Sequence, residues 1–323
     1  MKQLFIFLIS VLVFSAQAKT TLKIGVLAPE GTSWANYMKD MGKEIEKATE
    51  GEVKIKFYFG GTQGDEPDVL KKIRIGQLQG GIFTGKTLGE IYGDVRVVEI
   101  PFTFGADRAK ALDTVQKLAP YFDKGFEKQN FKNLGFFEIG LVYFVSQEEP
   151  KDLESLKGIK IWSWEGDHLV TSMVEALNLV SVPLPLPDVL SSLSTGIVQA
   201  AYAPPLGIIA LQWNTKIKYL LDFPLAFSTG AFLLDNKSWE KIPANMRLKV
   251  EEISKKYIDA VNKANAKDNE DALASMKAQG IKFVTFSKSD NDKSLSLRSG
   301  IVKKLTGKLF TEESLKQLSK FVK

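Results

Sequence analysis

Eight residues carry a chemical signature on paper. Gly80 to Thr87, GGIFTGKT, fit the G-x-x-x-x-G-K-[ST] pattern of a phosphate-binding loop. Such a loop must follow a buried strand and open a helix, with its variable residues in the loop. Here Ile82 and Phe83 read as the strand itself, and the preceding LKKIRIGQLQ is polar and helical. The match is read as strand-turn chemistry rather than nucleotide binding. Asp167-His168 could be half of a catalytic dyad, and His168 is the only histidine. Adjacent Asp and His rarely face each other as a dyad requires, and no G-x-S-x-G elbow occurs. A histidine at a helix start is the simpler reading. The chain has no cysteine, which excludes disulfides, thiolate nucleophiles and cysteine-held metals. No H-E-x-x-H or EF-hand pattern is present, so no metal, cofactor or catalytic residue is expected.

Aromatic residues at strand ends remain. In LKGIKIWSWEGD (156–167) a short strand ends in Trp162 and Trp164. Trp34, Phe83, Phe102, Phe104, Tyr202, Trp213 and Phe227 also lie near strand ends or turns. Ligands of α/β lobes gather outside the carboxyl ends of strands. Each aromatic alone reads more readily as core; the set points to a ligand wall.

These residues need elements to position them. Alternating or apolar runs at 21–28, 53–59, 80–84, 95–100, 131–144, 159–162, 179–182, 199–202, 227–234 and 281–286 predict strands. Helical periodicity predicts helices between them, with one at 107–129 broken near Pro120, and a long one at 244–278. Strand and helix in alternation predict an α/β fold with mostly parallel sheets. No internal repeat is visible. The extended segments 131–146 and 227–235 are long enough to cross between two lobes. They predict a discontinuous lobe of 19–141 plus 228–286, a continuous lobe of 142–227, and a basic helical tail at 287–323.

Met1-Lys2, the apolar LFIFLISVLVF and Ser15-Ala-Gln-Ala18 form a signal peptide over residues 1–18. Export to the periplasm without a lipid anchor follows, since no cysteine stands at the cleavage point. Net charge is +5. The lysines of the tail read as a solvated face or a docking patch. Export and the lack of any binding motif argue against nucleic acid.

In their order, FYFGGTQGDEPDVLKKIRIGQLQGG, VVEIPFTF, LKGIKIWSWEGD, VPLPLPDVLSSLSTGIVQAAYAPP and FLLDNKSWEKIP resemble the solute-binding proteins of TRAP transporters, the DctP family. The resemblance spans the chain to about residue 286. It implies a two-lobed periplasmic binding protein fold that closes on a solute, typically an organic acid, and passes it to TRAP membrane permease subunits. In the family, the G-[IL]-K-[IL] strand is normally followed by an arginine that grips the solute carboxylate. Here that position is Trp162. The family's G-V-V-D-G-x-E-N-P reads GIVQAAYAP, which puts Tyr202 and Ala203 at its acidic and amide positions, and a family aromatic falls on Leu186.

A carboxylate buried without a cation costs several kcal/mol. Replacing the arginine by tryptophan therefore predicts an apolar or aromatic solute, a lipid-like one included. The expected wall is Trp162, Trp164, Tyr202, Ala203 and Leu186 on one side, with Trp34, Phe83, Thr84 and Asp65 on the other. Three alternatives stand: Lys160 or Lys86 supplies the cation for an organic acid, tryptophan stacks on a cationic solute, or Trp162 plugs the cleft. The competing classes are an exported hydrolase relying on His168 and an interaction protein that carries no solute.

Overall fold

The computed structural model describes residues 19–322; the signal-peptide reading lies outside them. The chain begins β1 (Thr20–Val26), α1 (Ser33–Ala48), β2 (Val53–Tyr58), α2 (Glu66–Arg74), β3 (Gly80–Thr84) and α3 (Gly85–Ile91). A 3-10 turn, Gly93–Glu99, leads to α4 (Arg108–Lys128) and the 16-residue β4 (Phe131–Ser146). Then come β5 (Lys160–Ser163), α5 (His168–Ala176), β6 (Val180–Pro183), α6 (Val189–Thr195), β7 (Ala200–Ala203), α7 (Pro205–Ala210) and β8 (Tyr219–Leu221). β9 (Ala226–Asp235), α8 (Asn236–Glu240), α9 (Ala244–Ala278), β10 (Lys282–Val284), α10 (Lys288–Leu305) and α11 (Glu312–Ser319) complete it.

The starts of the helices are chemically marked. The Thr32 hydroxyl accepts the Ala35 N–H, Asp65 accepts the Glu66 N–H, and Asp167 accepts those of Leu169 and Val170. Each satisfies donors a first turn leaves free.

The fold is α/β. β2, β1 and β3 are parallel, β9 runs antiparallel to β3, and β4 antiparallel to β9. From Tyr143 onward β4 pairs with β7, which lies parallel to β5, itself parallel to β6. One strand thus belongs to both halves of the sheet. Its alternating side chains serve two cores: Phe136 packs with the α4 residues Phe122 and Phe126, while Phe137 joins the core with Met38 of α1 and Val261 of α9.

Three expectations need correction. Residues 95–100 form no strand. Val95, Val97, Val98 and Ile100 are all buried, but in the 3-10 turn, which also buries Asp94, Arg96 and Glu99. The apolar run was real; its period was not that of a strand. α4 passes through Pro120 without a break. Gln116, whose carbonyl loses its donor there, lies on the exposed face where water can replace it. Thirdly, a local circuit occurs twice although the sequence shows no repeat. The Lys23 N–H donates to Gln79 Oε1 and the Gln79 N–H to the Lys23 carbonyl; Lys160 and Gln199 do the same. The orders β2-β1-β3 and β6-β5-β7 match as well. The tail is helical and folded back: α10 packs on α5, and the N–H and hydroxyl of Thr311 both donate to Asp94.

β4 has register shifts at Asn133/Phe136 and Glu138/Gly140, where its ladder to β9 is interrupted. Three asparagines on one face of α9 repair the second. Asn262 Oδ1 accepts the Glu138 N–H at 2.8 Å, Asn265 Nδ2 donates to the Glu138 carbonyl at 2.6 Å, and Asn269 Nδ2 to that of Ile139 at 2.8 Å. Asn262→Ala leaves the Glu138 N–H buried and unpaired. The expected loss is about 1–3 kcal/mol, read from urea denaturation; an unchanged midpoint would mean that the helix does not hold the bulge.

Candidate functional site

A cavity of about 220 Å³ lies at the carboxyl ends of β3, β5 and β7. The strand order explains its place: parallel strands in both halves end on the same side, and the loops leaving them form the walls.

The wall built on β5 and β7 is aromatic. Trp162 is 2% exposed and stacks on Tyr202 with ring centroids 4.9 Å apart. Trp213 meets it edge-on at 5.3 Å, and Trp164 lies tilted at 5.8 Å. The Trp162 indole N–H donates to the Leu184 carbonyl at 2.9 Å, so this large side chain is fixed in plane as well as in position. Ala203 and Leu186 complete this side. Trp162 therefore forms wall, and the cavity remains beside it.

From the other half, Trp34 and Thr84 reach the cavity. Phe83 does not. Side chains of a strand alternate, so Ile82 and Thr84 face the cavity while Phe83 is fully buried in the core beneath α3 and α4. Asp65 is also absent from the wall. It caps α2, and its Oδ2 accepts the Trp164 indole N–H at 2.9 Å, a contact between residues 99 positions apart.

Five charged residues line the cavity: Glu66, Lys86, Arg96, Glu99 and Asp167. Sequence reasoning singled out Lys86 as a possible cation and Asp167 only as a dyad candidate, and it missed the other three. Arg96 Nη2 lies 3.1 Å from both carboxylate oxygens of Asp167, and its Nε lies 3.1 Å from Glu99 Oε2. Burial opposes the guanidinium charge, but Asp167 and Glu99 outweigh it and hold its pKa above the ordinary value. Glu99 Oε1 also accepts the Thr229 N–H at 2.8 Å. Lys86 has a different setting. Its side chain is 7% exposed, and its partner is Glu90, at 2.6 Å and 40% exposed. Glu66 accepts the N–H and the hydroxyl of Thr84, at 2.9 Å each, yet burial outweighs these bonds and pushes its pKa up to about 7.

Neither motif that opened the sequence forms the site its pattern describes. Gly80 to Thr84 are β3 itself, and the Thr84 N–H is engaged by Glu66. His168 is exposed at the first position of α5, with Asp167 as the cap before it. Among the described residues no cluster suited to a metal ion occurs.

The family model described as bacterial extracellular solute-binding protein, family 7, DctP, matches residues 24–304. A solute-binding protein of Verminephrobacter eiseniae is 23% identical over 284 residues, covering 84% of this chain and 81% of its own. Among solved structures, a TRAP periplasmic solute binding protein from Haemophilus influenzae with bound L-gulonate superposes with a TM-score of 0.86 at 19% identity, covering 94% of this chain and 99% of its own. One from Desulfovibrio salexigens with bound orotic acid gives 0.84 at 20% identity, covering 94% and 100%.

The raised Glu66 has a signature in pH. Below pH 4.5 both folded and unfolded chains hold its proton. Between pH 4.5 and about 7 the unfolded chain releases a proton that the folded chain retains, so stability falls as pH rises, then levels off. The full span is on the order of 3 kcal/mol. Glu66→Gln should remove this fall, so that its melting temperature gains on wild type from pH 4.5 to 8. Parallel melting curves for the two proteins would place the carboxyl in ordinary solvent.

Proposed function

This chain belongs to bacterial extracellular solute-binding protein family 7, the solute-binding proteins of TRAP transporters, and on that premise we propose that it captures a small organic acid whose body is apolar or aromatic. It would deliver this solute to TRAP membrane permease subunits from the periplasm. The family is one of binding proteins rather than of enzymes.

One observation carries the solute class. On a wall otherwise dominated by indole, phenol and aliphatic groups, Lys86 is the cation with a single partner, and that partner is partly exposed. Arg96 is held by two buried carboxylates. A solute carboxylate would exchange with Glu90 for Lys86, while its apolar body lay against Trp34, Trp164 and Leu186. The solutes bound to the two solved structures above fit the acid half of this reading, and orotic acid is itself a flat ring bearing a carboxyl group. The cavity, at about 220 Å³, falls below the roughly 300–1,000 Å³ of drug-sized sites, which favours a small acid over a lipid chain.

A wholly apolar solute is the second reading. It is favoured by Trp162, which by resemblance stands where the family's arginine grips a carboxylate.

We take residues 19–141 with 228–286 as one lobe and 142–227 as the other. The change of partner along β4 between Val142 and Tyr143 supports this division. Trp162, Trp164, Tyr202, Ala203 and Leu186 would meet the solute from the second lobe, and Trp34 and Thr84 from the first. Asp65 would act through Trp164.

Calorimetric titration with benzoate, benzamide and D-glucuronate separates the readings. Benzoate should bind at least tenfold more tightly than the other two, and Lys86→Met should weaken it at least tenfold while leaving benzamide unchanged. Preference for benzamide, unaffected by Lys86→Met, would favour the apolar reading. Preference for D-glucuronate would overturn both.

A further inference from the structure

Arg96 and Asp167 are separated by 71 positions and approach the cavity from different halves of the molecule. Arg96 belongs to the 3-10 turn that follows α3, and Asp167 to the loop between β5 and α5. Both side chains are 5% exposed and both line the cavity. The two oxygens of Asp167 share Nη2, each at 3.1 Å, while Nε faces Glu99. Arginine receives the carboxylate of a bound acid by charge-assisted hydrogen bonds, at best through two nitrogens in parallel; here Asp167 takes both of its contacts from Nη2 alone.

We propose that Asp167 is an internal carboxylate that occupies Arg96 in the place a solute carboxylate would otherwise take, and so sets which solutes this cavity accepts.

Charge counting supports the assignment. With both carboxyl groups ionised, Arg96, Glu99 and Asp167 together carry one net negative charge. A solute carboxylate added beside them would bring a second negative charge into a buried cluster, which is costly. It would also compete with a group already tethered at the site, whose effective concentration no free solute matches. Asp167 is anchored independently, because its Oδ1 accepts the N–H groups of Leu169 and Val170 at the start of α5. The carboxylate is thus held at Arg96 by the same bonds that begin the helix. Wild type should therefore reject acids whose only possible partner is Arg96. Removing the charge of Asp167 should admit them.

Asp167→Asn tests this, since asparagine is as good a helix cap as aspartate and keeps an acceptor for both N–H groups. Asp167→Ser is the second variant, with a shorter cap that cannot reach Arg96. Circular dichroism melts establish folding. Calorimetric titration with acetate and with benzoate then reads affinity. Both folded variants should bind acetate at least tenfold more tightly than wild type, and adding Arg96→Gln should abolish the gain. Acetate has almost no apolar body, so a gain with acetate is independent of whether wild type prefers benzoate. If either folded variant shows no gain, if the gain survives Arg96→Gln, or if neither variant folds, Asp167 is a structural ion-pair partner and the proposal fails.

Discussion

Everything in this molecule hangs on a strand that must serve two sheets at once. Neighbouring strands rotate relative to one another as a sheet twists, so one strand cannot hold a continuous ladder through two differently oriented sets of partners. β4 pairs with β9 up to Val142 and with β7, on its other side, from Tyr143, and its ladder to β9 breaks register at Asn133/Phe136 and at Glu138/Gly140. A break in a buried ladder leaves peptide groups that water cannot reach. The side chains of Asn262, Asn265 and Asn269 supply the missing partners. Their spacing of three and four places all of them on one face of α9. Gly140 is required for the same reason: its φ is 139°, and a Cβ there would run into the Asn269 amide. Asn269 Oδ1 also accepts the Leu206 N–H of α7, so a single side chain joins the crossing strand to the helix that follows β7.

The cavity follows from that junction. Because β3, β5 and β7 all end on one side, the residues just past them converge, and the loops need only bring the right side chains. Two contacts then span the two halves beside the cavity, Trp164 with Asp65 and Arg96 with Asp167. The first is a neutral donor on a carboxylate that already caps a helix. The second is a buried ion pair, worth little net in stability but costly to break by removing one partner. Such pairs fix geometry more than they add free energy.

The alternation of strand and helix was legible because each element carries its period and its cap in adjacent residues. The aromatic side of the cavity was legible for a related reason: Trp162, Trp164 and Tyr202 sit at strand ends or just past them, where local pattern and position coincide, whereas Leu186 was reached only through the family resemblance. Phe83 shows the limit of that logic. Position at a strand end says nothing about which face a side chain takes, and one residue of phase sends it into the core. Arg96 was invisible for a different reason. Its partners lie three and 71 positions away on different elements, and the run DVRVVE looks like a strand because both of its faces are buried. The duplicated Lys–Gln circuit escaped notice because it rests on two residues per half, too few to register as a repeat.

The identity of the solute turns on how charge is distributed inside the cavity, and fold likeness alone does not fix that. A wall with two cations and three acids is net negative when all are ionised, and reaches neutrality only when one acid, such as Glu66, carries a proton. With its pKa near 7, that condition holds over part of the neutral range. Protonated, Glu66 gains a donor and the cavity becomes one charge less negative; ionised, it opposes any anion. Proton occupancy of Glu66 and acceptance of an anion by the cavity would therefore be favoured together. An acid would enter such a cavity most readily where Glu66 is neutral, below about pH 7.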